Sequence, residues 1–261
     1  MKGIVMKAIK RVIAWCFIQC FGEIRWYSFL VKVGNIDKNA YYDRMAEAVM
    51  KRVLKPSSVC IDVGCNRGQV LKQMIALAPN GRFLAFEPVP DLFSQLTDEF
   101  SSDNIRLFQV ALSDKAGIST FNYVVTNPAY SGLKKRHYDR SNEKDTVIQV
   151  KTQTLDSVLE SESVEQVDYI KIDVEGAEYL VMKGAAACIK THKPYVVFEH
   201  GKGGTDCYGV GPEEVYALLC DQCGLRISLL SDWLLGKSPL TPSEFCDQYH
   251  TGKNYYFLAH K

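Results

Sequence analysis

The chain lacks a surplus of charge of either sign: 31 Lys and Arg face 30 Asp and Glu, leaving a formal net charge of +1 over 261 residues. Binding nucleic acid by phosphate neutralisation needs a clustered positive excess, so composition argues against such a partner. Long apolar runs are missing as well, since the stretch over residues 12–18 is too short to cross a bilayer. Nine cysteines are too few for a disulfide scaffold in a chain of this length. Cys16, Cys60 and Cys188 sit in apolar runs, where a thiol packs as a small hydrophobe. Cys220 and Cys223 form a CxxC with no second pair and no histidine at zinc-finger spacing; this reads as packed thiols, and no metal is assigned. A reducing cytosol is the compartment such cysteines suit. Internal repeats and low-complexity segments are also absent.

What remains is an ordinary globular composition, with 47% hydrophobic and 23% charged residues, enough for one large domain. At the N-terminus, Lys2, Lys7, Lys10 and Arg11 precede the apolar run, as in a signal peptide, but no small-residue cleavage site follows. Ile4, Val5, Ala8, Ile9, Val12, Ile13, Cys16 and Phe17 fall on one helical stripe. Residues 1–40 therefore read as an amphipathic helical segment. It packs on the main domain or a partner, or makes peripheral contact with an anionic membrane surface through its lysines and Trp15. Residues 41–261 read as a single domain.

Along that domain, residues 43–54 form a predicted helix closed by Pro56, with Met45, Val49, Val53 and Leu54 on one side. A strand over 59–63 runs into Gly64 and a turn, and a helix over 69–78 follows Gly68. Pro79-Asn80-Gly81 ends that helix, and a second apolar strand over 83–86 leads to Glu87-Pro88. A helix over 91–100 and a strand over 105–112 come next, and three strands with two helical crossovers imply a parallel sheet. Residues 118–166 break the rhythm: strands over 119–125 and 146–152 flank a polar loop, so this reads as an insertion near the active face. The alternation resumes with a strand over 169–174, a helix over 179–189 and a strand over 195–200. A glycine-rich loop over 201–211, a helix opened by Pro212 and a last strand over 255–259 complete the pattern.

Asp62-Val63-Gly64-Cys65-Asn66-Arg67-Gly68 lies at a strand-to-helix turn, where backbone amides face a ligand. Glu87 ends the next strand, where a carboxylate can bind both hydroxyls of a ribose. Strand, glycine turn, helix, strand and acid describe a nucleoside-binding βαβ unit. Asn66 stands in place of the second glycine of GxGxxG and the spacing to Gly68 is wrong, which disfavours a nicotinamide cofactor.

After this unit come Phe86-Glu87-Pro88, Ala111-Leu112-Ser113-Asp114, Thr154-Leu155-Asp156 and Lys171-Ile172-Asp173-Val174-Glu175-Gly176-Ala177-Glu178. In this order, over residues 58–200, the blocks resemble the FkbM-type methyltransferases of the class I S-adenosylmethionine (SAM) methyltransferase superfamily. The last block is the most specific. Cys65 stands where that family more often has alanine. The resemblance implies an α/β fold, a Rossmann-like, doubly wound, mostly parallel seven-stranded sheet with helices on both faces. It also implies SAM as cofactor and methyl transfer, most often to a hydroxyl of a sugar or natural product. Small-molecule N-methylation and a degenerate, non-catalytic nucleoside-binding module are the alternatives.

In such a fold ligands gather at the carboxyl ends of the parallel strands. Gly64 and Gly68 would admit the methionine part of the cofactor, Asp62 and Asn66 would orient it, and Glu87 would accept the ribose hydroxyls. Asp114 reads either as a partner for the adenine amine or as a turn residue. Methyl transfer to a hydroxyl needs a group that takes its proton. His200 has the pKa for a base near neutrality, whereas Asp173 or Glu175 would need upward shifts or would orient the acceptor. Glu175 and Glu178 read equally as a helix cap, and His200 as a strand-end residue. Oxygen-rich strand tips also suit a divalent cation, which nothing in the spacing supports. Asn127-Pro128-Ala129-Tyr130 is similar to the Asn-Pro-Pro-Tyr signature of nucleobase amino methylation but does not follow the fourth strand, and reads as a turn. Lys134-Lys135-Arg136-His137 reads as a solvated face, or as a contact for an anionic acceptor such as a phosphorylated or lipid-linked sugar. The expected partner is a small-molecule or glycan acceptor.

Overall fold

The computed structural model of the protein describes residues 22–138 and 142–261. The basic and apolar stripe read over residues 4–17, with Trp15, lies outside the described residues. Among the described residues, no helix is long and apolar enough to cross a membrane.

Helix α1 (Glu23–Lys32) leads to α2 (Lys38–Val53), whose first turn is capped by Asp37 accepting the Ala40 N–H at 2.8 Å. The cap starts α2 five residues before the apolar pattern does, so the boundary drawn at residues 40 and 41 falls inside this helix. Strand β1 (Val59–Val63), helix α3 (Gln69–Leu77), strand β2 (Arg82–Phe86), helix α4 (Pro90–Glu99) and strand β3 (Ile105–Phe108) follow. The strand expected over 105–112 is divided. Its pairing with β2 ends at Phe86 opposite Phe108, and β4 (Ala111–Leu112) turns away to join β5 (Gly117–Val124) and β6 (Asp145–Gln153) in a separate three-stranded sheet.

Helix α5 (Leu155–Ser161) and strand β7 (Tyr169–Ile172) precede a helical stretch that is also divided, into α6 (Glu178–Lys183) and α7 (Ala186–His192). The break falls at Gly184, where a Cβ would overlap the Ser113 carbonyl. Thr154 caps α5 through the Ser157 N–H at 3.2 Å, and Asp156 accepts the Ala187 and Cys188 amides at 3.0 and 2.9 Å at the start of α7. The Thr-Leu-Asp block is thus a double cap. Strand β8 (Tyr195–Glu199), helix α8 (Pro212–Tyr216) continuing as a π-helical turn over Ala217–Gln222, strand β9 (Arg226–Leu229), α9 (Leu230–Leu234), α10 (Pro242–Thr251) and strand β10 (Tyr256–His260) complete the order.

The main sheet has seven strands in the order β3-β2-β1-β7-β8-β10-β9, and β10 runs antiparallel to both neighbours. Strand alternation sorts its side chains into two cores. Ile61, Val63, Ile170, Ile172, Val196 and Phe198 pack with residues of α5 to α8 and α10. Cys60, Phe83, Ala85, Tyr169, Val197 and Leu258 pack with residues of α2, α3, α4 and α9. The fold is therefore Rossmann-like and doubly wound, with the chain order reversing between β1 and β7.

Gly184 has an ordinary φ but no room, whereas Gly236 has φ 71° and open space around it. In urea denaturation Gly184→Ala should cost about 3 kcal/mol through backbone overlap. Gly236→Ala should cost about 1 kcal/mol, the left-handed penalty alone; equal losses would contradict this account.

Candidate active site

A cleft of about 350 Å³ opens at the carboxyl ends of β1, β2 and β7, within the size range of ligand pockets, roughly 300–1,000 Å³. Its first wall is the turn after β1. Gly64 and Cys65 both donate to the Phe86 carbonyl, at 3.1 and 3.0 Å, and Gly64 takes φ 79° with its Cα pressed on the Asp173 carbonyl. Asn66 adopts φ 50° and donates its N–H to Glu87 Oε2 at 2.8 Å. Gly64, Asn66 and Glu87 all line the cleft.

Gly68 and Asp62 do not. Gly68 caps α3 at φ 72° and packs under Phe100 and Leu96, so its missing Cβ makes room for α4 and its flank, not for a ligand. Asp62 alternates onto the α2–α3 face, fully buried, with both carboxylate oxygens lacking a hydrogen bond. Burial pushes its pKa up, against the pull of Lys171. Its place is beneath the turn.

Glu87 is 5% exposed. Oε1 accepts the Val89 N–H at 2.9 Å and Oε2 the Asn66 N–H, which leaves a lone pair on each oxygen for a ligand donor. Burial pushes its pKa up to about 7, and the two amides hold it down. A carboxylate fixed in this way suits a pair of vicinal hydroxyls. Val110, Leu112 and Phe121 add an apolar stretch to the same cleft.

The other end belongs to β7 and its loop. Lys171 is the parallel partner of Asp62 in the sheet, and its Nζ stands 3.2 Å from Asp173 Oδ2. Burial lowers its pKa, but Asp173 and Asp62 outweigh that and hold it above the usual lysine value. The Tyr256 hydroxyl donates to the same Asp173 oxygen at 3.3 Å. Glu175, at φ 58°, pairs with Arg136 of the insertion. Burial and Asp173 push Glu175 up to about 8, and Arg136 opposes them. Glu178 folds the loop from inside: Oε1 accepts the Val174 and Gly176 amides at 3.0 and 3.1 Å.

The insertion supplies further walls, with Phe121, Pro128, Ala129, Ser131 and Leu133 lining the cleft. The basic run beside it is engaged with the protein and is not simply solvated. Lys134 donates through its amide to the Tyr208 hydroxyl and through Nζ to the Cys207 carbonyl, both at 3.0 Å, and Lys135 pairs with Asp145 at 2.7 Å. Pro128–Tyr130 is a 3-10 turn, far from the end of β7 in sequence, although Pro128 and Ala129 share the cleft with Asp173 and Glu175.

Two further expected site residues, like Gly68 and Asp62, lie outside the cleft lining. Asp114 is absent from the cleft lining and is tied to Lys183 at 2.8 Å, which keeps its pKa low. His200 is 1% exposed and also absent from the lining, because the strand-end backbone, its N–H on the Tyr255 carbonyl, holds its ring against Tyr249 and Phe245 with centroids 4.9 and 6.0 Å away. Neither ring nitrogen is hydrogen-bonded, and burial lowers its pKa to about 4. Asp173 and Glu175 are brought together at the cleft. Lys171, Asp43 and Tyr256 line it without having been singled out from sequence. Lys171 carried a signal, as a lone charge inside an apolar strand; Asp43 and Tyr256 carried none. No cluster of three or more potential metal ligands occurs among the described residues.

A doubly wound sheet with a nucleoside-type cleft at its switch point defines a Rossmann-like nucleoside-binding domain, and the half-satisfied Glu87 and the bare-backbone turn at Gly64 fit SAM as its cofactor. The sequence profile of the methyltransferase FkbM domain matches residues 62–227, and the chain belongs to that family. It is similar to the 2-O-methyltransferase NoeI of Sinorhizobium fredii, 30% identical over 146 residues that cover 50% of this chain and 58% of NoeI. It is also similar to the hexuronic acid methyltransferase AglP of Haloferax volcanii, 28% identical over 163 residues, 61% of this chain and 60% of AglP. The chain thus spans less than two thirds of the length of these relatives. A solved FkbM methyltransferase from Methylobacillus flagellatus superposes with a TM-score of 0.48 at 16% identity, over 79% of this chain and 44% of that one.

Ribose hydroxyls donate to the ionised form of Glu87, so binding should weaken as pH falls through about 7. Calorimetry with S-adenosylhomocysteine across that range should show this. Glu87→Gln should bind about tenfold or more weakly at high pH and lose the pH dependence; an unchanged profile in the variant would assign the titration elsewhere.

Proposed function

We propose that the chain methylates a hydroxyl of a sugar-type acceptor. The observation that carries this reading is one cleft with two different ends, a carboxylate pinned by two amides at Glu87 and a second pair of carboxylates at Asp173 and Glu175. The names of NoeI and AglP, a 2-O-methyltransferase and a hexuronic acid methyltransferase, support an oxygen acceptor on a sugar.

SAM, when bound, supplies an electrophilic methyl group. Glu87 would hold the ribose, the Gly64 to Asn66 turn would admit the methionine part, and Val110, Leu112 and Phe121 would flank the base. At the other end the chain has to place one hydroxyl and receive its proton. Asp173 has one oxygen held by Lys171 and Tyr256 and is in position to orient a hydroxyl with the other. Glu175 lies beside it with an upward-shifted pKa and is the group that takes the proton. Arg136 holds Glu175 in its left-handed loop and acts as a positioning residue. The insertion limits water at this end by covering it with Pro128, Ala129 and Leu133.

Glu175 must be deprotonated to act as the base, so turnover should rise as pH climbs through about 8. With a sugar acceptor and labelled SAM, Asp173→Asn and Glu175→Gln should each lower turnover by about 10²–10⁴-fold. Both should keep S-adenosylhomocysteine affinity within a few-fold. His200→Phe should retain turnover; its loss with cofactor binding intact would return the base to the histidine.

A further inference from the structure

A second concavity lies outside the cleft, about 870 Å³ in volume, between α1, the start of α2, the end of α9 and the turn after α10. Five cations line it: Arg25, Lys32, Lys38, Lys237 and Lys253. Asp232 is the one acid in the lining, and it is already paired with Lys237 at 2.8 Å. Lys38 leans on the Gly252 carbonyl at 3.2 Å. Arg25, Lys32 and Lys253 are exposed, and their side chains have no hydrogen-bond or ion-pair partner among the described residues.

Helix periodicity makes this surface two-sided in character. Ile24, Tyr27 and Val31 of α1 pack toward the core, while Arg25, Ser28, Phe29 and Lys32 recur at helical spacing on the groove side. Glu23 is turned away from that side. Around the cations stand apolar side chains at the surface, Phe29 at 44% exposure, Val33 at 50% and Leu235 at 37%. Exposed cations spread over several elements do not converge on one small anion. Together with exposed apolar side chains beside them, they match a sheet of phosphates over hydrocarbon.

We propose that this groove docks the protein on an anionic phospholipid surface. The placement adds a reason. Lys38 and Tyr41 line the groove and Asp43, on the same helix, lines the cleft; Lys253 and Asn254 line the groove and Tyr256 lines the cleft. The groove and the cleft are thus borne by the same two segments, α2 and the chain leading into β10. The inference stands on the groove alone and does not depend on which hydroxyl is methylated.

Co-sedimentation of the full chain with phosphatidylcholine vesicles, with and without phosphatidylglycerol, tests it. Binding should require phosphatidylglycerol and fall with salt. The triple variant Arg25→Gln, Lys32→Gln, Lys253→Gln should lose vesicle affinity on the order of 100-fold. It should keep S-adenosylhomocysteine binding, which shows that it folds. Full vesicle binding by the triple variant overturns the proposal and assigns any membrane affinity to Lys2, Lys7, Lys10 and Arg11. A dimer in sedimentation velocity that the triple variant dissolves, with no vesicle binding by the unmodified chain, overturns it in favour of a second copy.

Discussion

A buried lysine ammonium on the central pair of parallel strands links the two ends of the cleft. Lys171 sits beside Asp62 in the β1–β7 register and reaches Asp173 at the strand tip. Neither carboxylate oxygen of Asp62 has a close hydrogen-bond partner, and among the influences that oppose its burial the Lys171 charge is the strongest. Removing one member of such a group leaves an uncompensated charge in a dry interior, a loss of about 3–5 kcal/mol. The arrangement couples the strand beneath the glycine turn to the Asp173 carboxylate in the cleft, so the geometry of one end is tied to that of the other.

Around that charge pair, the carboxyl edge is built by backbone lying on backbone. Gly64 rests on Asp173, Gly176 on Gly204 and Gly184 on Ser113, and a Cβ at any of the three would meet a carbonyl. Glu178 then gathers the amides of Val174 and Gly176 into a fixed loop. Gly176 and Glu178 of the Lys171 to Glu178 block are therefore scaffold, and Asp173 and Glu175 are the carboxylates of the block that line the cleft. The insertion closes over this scaffold and is latched by Arg136 on Glu175 and Lys134 on the loop after β8.

Local pattern made most of the fold legible. The parallel alternation, the glycine turn, Glu87 and the strand tip at Asp173 all express short-range rules of spacing and backbone freedom. Where expected elements divided, at Phe108 and at Gly184, the cause was a contact with a distant segment that no window of sequence contains. Asp37 was a local signal for the start of α2, but it capped polar residues that the apolar period does not mark.

The sequence by itself therefore determined the domain class and brought Gly64, Asn66 and Glu87 to the cleft, because these three belong to one contiguous βαβ unit, while Asp62, Gly68 and Asp114 fell outside its lining. The other end of the cleft was decided by tertiary structure. It gathers Asp43 from α2, Asp173 and Glu175 from the β7 tip, Leu133 from the insertion and Tyr256 from the last strand, and it turns His200 away into an aromatic stack. Burial and neighbouring charge, which set the proton affinity of these groups, exist only once those segments are packed together.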